Sequence, residues 1–234
     1  MKLYGIPPTR AVRPLWLLNE LDLACEIVPI DISNGEHLAP PFLAINPFGK
    51  VSVLVDGDLV VAESAAISLY LAERYGGGRF IPGDVAERAF MHQWIFFLVT
   101  EIEQPLWRIA LHAFIYPEHE RLADEPPLAR RDCRRMLAPL EQHMEGRAFL
   151  VGASPTVADF IAAFTLDWAS EEDLLGDHPN LLGFVERMYA RPAAPPTIKE
   201  GFAALQAGIS ADRFRFGAGH DRKAPQADAT RHGA

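Results

Sequence analysis

Over residues 1–75 the chain alternates short apolar runs with a stretch of helical period. Residues 2–5 read as a short strand. Residues 10–23 place Val12, Leu15, Leu18 and Leu21 at three-residue spacing, which lines one face of a helix. Pro14 has to fall in its first turn, because a deeper proline forfeits a helical hydrogen bond. Residues 26–31 read as a second strand. Residues 51–55 and 59–62 are apolar, β-branched runs joined by Asp56-Gly57-Asp58, a hairpin signal. A helix over 64–75 follows, with Ser64 in the capping position. The order β-α-β, loop, β-β-α makes the first two strands parallel through their helix and the last two antiparallel.

Gly76-Gly77-Gly78 stops that helix and opens a linker that includes Pro82-Gly83. Beyond it the strand signals fade. Residues 86–116 read as one long helix kinked at Pro105, and further helices are expected over 128–145, 156–170, 179–189 and 196–206. Thr156 and Asp159 form a T-x-x-D capping box ahead of an apolar run, a structural feature. The pattern predicts a mixed α+β domain over residues 1–77, a linker over 78–84, an all-helical domain over 85–210 and a polar tail over 211–234. Residues 217–234 contain no Leu, Ile, Val, Phe, Tyr or Trp, too little to bury for order.

Composition narrows the chemistry. Of 234 residues, 49% are hydrophobic, enough for a core without staples. The 31 acidic residues against 22 Lys and Arg leave a net charge of −9 and no dense basic run, which argues against nucleic acid or an anionic membrane as partner. The N-terminus lacks a signal-peptide pattern, and no apolar run is long enough to span a bilayer. Cys25 and Cys133 stand far apart, outside any CxxC pair, so neither a metal site nor a dithiol centre is expected, and the usage suits a reducing, cytoplasmic compartment. There is no HExxH, Walker loop, GxGxxG or G-x-S-x-G.

Four segments, in order, carry a resemblance: KLYGIPPTRAVRPLWLLNEL, GEHLAPPFLAINPFGKV, VLVDGDLVVAESAAISLYLAERY and PTVADFIAAF. The chain resembles the cytosolic glutathione transferase family, especially its bacterial theta-like and Nu-like members, over roughly residues 1–205. The resemblance implies a thioredoxin-like N-terminal domain with a mixed four-stranded sheet, an all-α second domain, a homodimer, and a detoxifying enzyme. Such an enzyme joins glutathione, as co-substrate, to a small electrophile. A glutathione-dependent peroxidase or disulfide reductase, and a non-catalytic scaffold with this fold, are the alternatives.

The resemblance also implies a site. Glutathione has anionic ends and a central thiol. Glu63 and Ser64 open a helix whose free N–H groups suit a carboxylate, and in the family this pair holds the γ-glutamyl end. Val51 pairs its backbone with the cysteinyl part, and Lys50 and His37 meet the glycyl carboxylate. A free thiol, with a pKa near 8.5, is only a few per cent thiolate at neutrality. Thr9, the only hydroxyl of the loop 5–13, or the amides beside it, is the group expected to favour thiolate. Arg10 is a neighbouring candidate for the sulfur or a carboxylate, Tyr4 is a weaker option, and the serine of theta-like members would fall at Ile6. Where the family has a proline after a cis bond this chain has Ser52, and the Val51–Ser52 bond is expected to remain cis. Trp107, Arg108 and His112, with Phe114 and Tyr116 nearby, are the candidate wall for the second substrate.

Overall fold

The computed structural model describes residues 1–207, so the expectation of a polar tail over 211–234 lies outside the described residues. The first half contains β1 (Lys2–Tyr4), α1 (Val12–Glu20), β2 (Glu26–Val28), a short α2 (Pro40–Leu43), β3 (Val53–Asp56), β4 (Leu59–Ala62) and α3 (Ser64–Tyr75). The sheet runs β2-β1-β3-β4, with β1 parallel to β2 and both remaining pairs antiparallel, as the element order requires. Leu3 stands across from Ile27 on one side and Leu54 on the other, so one buried apolar row crosses the sheet.

Several boundaries differ from expectation. Helix α1 starts at Val12 rather than at residue 10, because the cis Pro7–Pro8 pair and the turn at Thr9 occupy the preceding positions. It ends at Glu20, and Asp22 lies in the left-handed region two residues on. Strand β3 begins at Val53, leaving Val51 and Ser52 in the approach to it, with a cis bond between them. Ser64 is not the cap of α3. Glu63 takes the N-cap position at φ 72°, and Ser64 is the first helical residue.

The second half contains α4 (Val85–Phe97), α5 (Glu103–Ala110), α6 (Glu125–Met144), α7 (Val157–Glu171), α8 (Pro179–Tyr189) and α9 (Ile198–Gln206). The single helix expected over 86–116 is interrupted by π turns at Leu98–Ile102 and Leu111–Ile115. The first lies just before Pro105, which has no N–H to return to the preceding turn.

Helix α7 is the pillar on which the halves meet. Trp16 of α1 is fully buried against Phe160 of α7 and Tyr189 of α8, with ring centroids 5.5 and 4.9 Å away. The start of α7 is tied by Asp159, whose carboxylate accepts from Leu150 N–H (2.8 Å), Thr156 N–H (2.7 Å) and the Thr156 hydroxyl (2.9 Å). Burial pushes this carboxyl up to about 6, against the pull of those hydrogen bonds. Thr156→Ala removes one of the three donors and is expected to cost about 1 kcal/mol, read as a lower urea midpoint at unchanged slope.

Candidate functional site

The loop between β1 and α1 folds back onto the start of β3. Gly5 adopts φ +127°, a conformation that side chains avoid. A Cβ there would stand 3.0 Å from the Ala11 Cβ, 3.4 Å from the Val51 Cβ and 3.8 Å from Thr9 Oγ1. Glycine therefore lets the Thr9 turn and Val51 approach one another, and two of the residues singled out in the sequence meet at one corner. The Thr9 hydroxyl donates to the Ile6 carbonyl and accepts from Ala11 N–H at 3.3 Å. Its proton is committed to its own turn. Among the described residues, the neighbouring Arg10 N–H makes no hydrogen bond.

Helix α3 opens beside this corner. Its first internal hydrogen bond runs from Ile67 N–H to the Glu63 carbonyl (2.9 Å), so the amides of Ser64, Ala65 and Ala66 have no partner within the helix. Ser64 is buried, and its Oγ accepts from Arg13 Nη1 at 3.1 Å. Because that oxygen is already an acceptor, the hydroxyl proton remains to be donated. The Glu63 side chain is exposed at the same helix end.

Behind Ser64 lies a buried network that crosses the domains. Arg13 of α1 is 1% exposed; Nη2 donates to Glu103 of α5 and, at 2.7 Å, to Thr165 Oγ1 of α7. Arg10 donates from Nε to the other oxygen of the same carboxylate. Burial pushes the Glu103 carboxyl up, but the charges and hydrogen bonds of Arg13 and Arg10 outweigh it and hold it below the ordinary carboxylate range. Arg13 is driven down by burial, and Glu103 pulls it back only in part.

His37 sits in a 3-10 turn at Glu36–Leu38, with Nδ1 buried and unpartnered among the described residues. Lys50 is exposed and forms no ion pair there, while its carbonyl is held by Asn46 Nδ2 at 2.6 Å. Ser52 is buried, and its hydroxyl is unpartnered among the described residues. Tyr4 packs on Phe42, with ring centroids 6.3 Å apart.

The expected pocket wall is divided. Trp107 faces Arg10, and it meets Trp168 of α7 at 6.4 Å between ring centroids. Arg108 is one step round the helix, which turns it toward α6, where it pairs with Glu125 and with Asp132 (3.1 Å). The His112 ring packs on Tyr116, and its Nδ1 accepts from Leu122 N–H at 3.1 Å, away from the cleft network. Phe114 is exposed. Arg13, Glu103, Thr165 and Trp168 belong to the site but were not read from the sequence. The one available signal was Arg13 itself, a charge directly beside Val12 and Leu15 on an apolar helix face.

A thioredoxin-like domain with a mixed four-stranded sheet, joined to an all-helical domain, defines the class of the fold. Residues 1–73 match the family described as Glutathione S-transferase, N-terminal domain, and residues 89–192 match Glutathione S-transferase, C-terminal domain. The chain belongs to the glutathione S-transferase family. It is 33% identical over 223 residues to glutathione S-transferase 3 of Zea mays, covering 85% of this chain and 93% of that one. Glutathione transferase F7 of Populus trichocarpa superposes with a TM-score of 0.74 at 26% identity, covering 89% and 99% of the two chains. The URE2P6 transferase of Phanerochaete chrysosporium, solved with oxidised glutathione, superposes at 0.75 with 27% identity over 89% and 97%.

Proposed function

We propose that this chain binds glutathione between α3 and the approach to β3 and joins its sulfur to a small electrophile. The observation that carries the reading is the opening of α3: three amides without a hydrogen-bond partner among the described residues and a Ser64 hydroxyl whose oxygen is already engaged by Arg13, at the end of a helix dipole. The γ-glutamyl carboxylate is the anion that fits there, with the Glu63 carboxylate available to its ammonium. Val51 lends its backbone to the cysteinyl part, Lys50 and His37 stand at the glycyl end, and the Arg10 amide faces the sulfur. Solved relatives that hold glutathione or its oxidised form support the ligand.

The protein acts as a homodimer in this reading. Phe48, Phe90 and Phe96 are 73, 54 and 66% exposed, and Leu59 and Val60 of β4 are also open, apolar side chains that a second copy would cover. Among the described residues no helix is long and apolar enough to cross a membrane, and a cytoplasmic location fits the two free cysteines.

Calorimetry with glutathione, followed by turnover of 1-chloro-2,4-dinitrobenzene, tests the proposal. Absence of binding overturns it, and binding without turnover of any electrophile favours a scaffold. Thr9→Ala is expected to lower turnover about tenfold, equivalent to about 1.4 kcal/mol, because it releases the turn that aims the Arg10 amide. Thr9→Ser keeps the hydroxyl and should retain most of the rate. An unchanged rate in Thr9→Ala removes the turn from the mechanism.

A further inference from the structure

Arg10 stands in a corner of two indoles. Its guanidinium carbon is 4.7 Å from the Trp107 ring centroid and 5.3 Å from that of Trp168, while the rings lie 6.4 Å apart at 76° to one another. These distances describe two walls meeting rather than a sandwich. The walls exclude water from part of the cation and leave its far end open. Nε is spent on Glu103, and among the described residues neither terminal amino group makes a hydrogen bond.

The charge balance points the same way. Two guanidinium groups, Arg10 and Arg13, share the single carboxylate of Glu103. Arg13 is enclosed, and both of its terminal nitrogens are engaged, by Glu103, Thr165 and Ser64. Arg10 is 29% exposed. The more accessible of the two positive charges is therefore presented at Arg10, on the helical-domain side of the Thr9 corner, where an electrophile would approach the sulfur.

We propose that Arg10 selects second substrates that carry a carboxylate or sulfonate on a flat aromatic or unsaturated electrophile. This rests on the transferase reading. The terminal amino groups form a planar fork that matches two oxygens of such an anion. Partial exclusion of water by Trp107 and Trp168 strengthens that attraction relative to bulk solvent. The flat body of the substrate gains contact area against the indole surface that Arg10 leaves exposed. With 4-chloro-3-nitrobenzoate as probe, the glutathione thiolate forms a carbon–sulfur bond at the chlorinated carbon. The carbon–chlorine bond breaks, chloride leaves with its electron pair, and the thiol proton passes to solvent.

The measurement is kcat/KM for 4-chloro-3-nitrobenzoate divided by that for its methyl ester, each corrected for the uncatalysed rate. The native protein is expected to favour the acid at least about tenfold. Arg10→Gln should bring the ratio to about one, and Arg10→Lys, which keeps the charge without the fork, should fall between. Taking a ratio cancels any loss common to both substrates. A second readout needs no variant: 3-nitrobenzoate should inhibit turnover of the ester at least about tenfold more tightly than methyl 3-nitrobenzoate does. A native ratio near one, or an unmoved ratio in Arg10→Gln, overturns the proposal while ester turnover leaves the transferase reading intact. Equal loss on both substrates together with a raised glutathione thiol pKa assigns Arg10 to the thiolate and also overturns it. If the native protein binds no glutathione and consumes neither probe, the transferase reading falls first.

Discussion

Glu103→Gln is expected to lose about 3–5 kcal/mol of folding stability, the usual result of removing one member of a buried ion pair. The size of the effect comes from what remains. Arg13 is 1% exposed, and Glu103 supplies the only carboxylate that it meets among the described residues. The neutral amide keeps the shape of the side chain but leaves a desolvated guanidinium without its counter-charge, and it releases Arg10 as well. These contacts join α1 to α5 and α7, so the loss falls on the docking of the two domains. Urea unfolding at neutral pH reads it directly. Replacing both partners, Arg13→Met with Glu103→Leu, is expected to recover part of the loss, because apolar groups of similar length leave no buried Arg13 charge stranded. Acid provides a further check. The Glu103 carboxyl is held below its ordinary range in the folded protein, so its contribution is fully present above the unfolded value of about 4.3 and is lost as pH falls through the folded one. The gap between the native protein and Glu103→Gln should therefore narrow below about pH 4. A gap of less than about 1 kcal/mol at neutral pH would show that this carboxylate does not bear on domain docking.

Ser64→Ala is expected to raise the glutathione KM by roughly ten- to a hundredfold, the weight of a lost hydrogen bond to a charged group at about 1.5–3 kcal/mol. Two losses coincide. The donor aimed at the incoming carboxylate disappears, and Arg13 Nη1 loses the acceptor that it holds at 3.1 Å. Ser68 donates to the Ser64 backbone carbonyl at 2.8 Å rather than to its hydroxyl, so the helix itself is untouched by the change. The effect should appear in affinity, with the far-ultraviolet spectrum preserved. An unchanged KM would place the anion elsewhere and remove the α3 opening from the ligand site.

The order of elements was legible because each carries a local signal. Period-three apolar spacing marks α1, the Asp-Gly turn marks the β3–β4 hairpin, and the T-x-x-D box marks the start of α7. Boundaries were less legible where the chain leaves regular geometry: the Thr9 turn delays α1, and the left-handed Glu63 displaces Ser64 from the cap. The site divided along the same line. Thr9, Val51 and Ser64 lie next to turns and element ends that the sequence marks, and the fold brings Thr9 and Val51 to one corner beside the opening of α3. Trp107 and Arg108 are adjacent in sequence and chemically plausible together, yet the turn of α5 sends one to Arg10 and the other to the carboxylates of α6.

What the sequence determined by itself was therefore the succession of strands and helices, the two-domain division and which residues stand at the opening of α3, because those depend on spacing between near neighbours. Only the tertiary structure decided that Arg13, ninety residues from Glu103, would stand behind Ser64, and that Arg10 would face a corner built from two separate helices. Such pairings arise when distant segments share one interior, where a buried charge must find its opposite wherever in the chain that opposite lies.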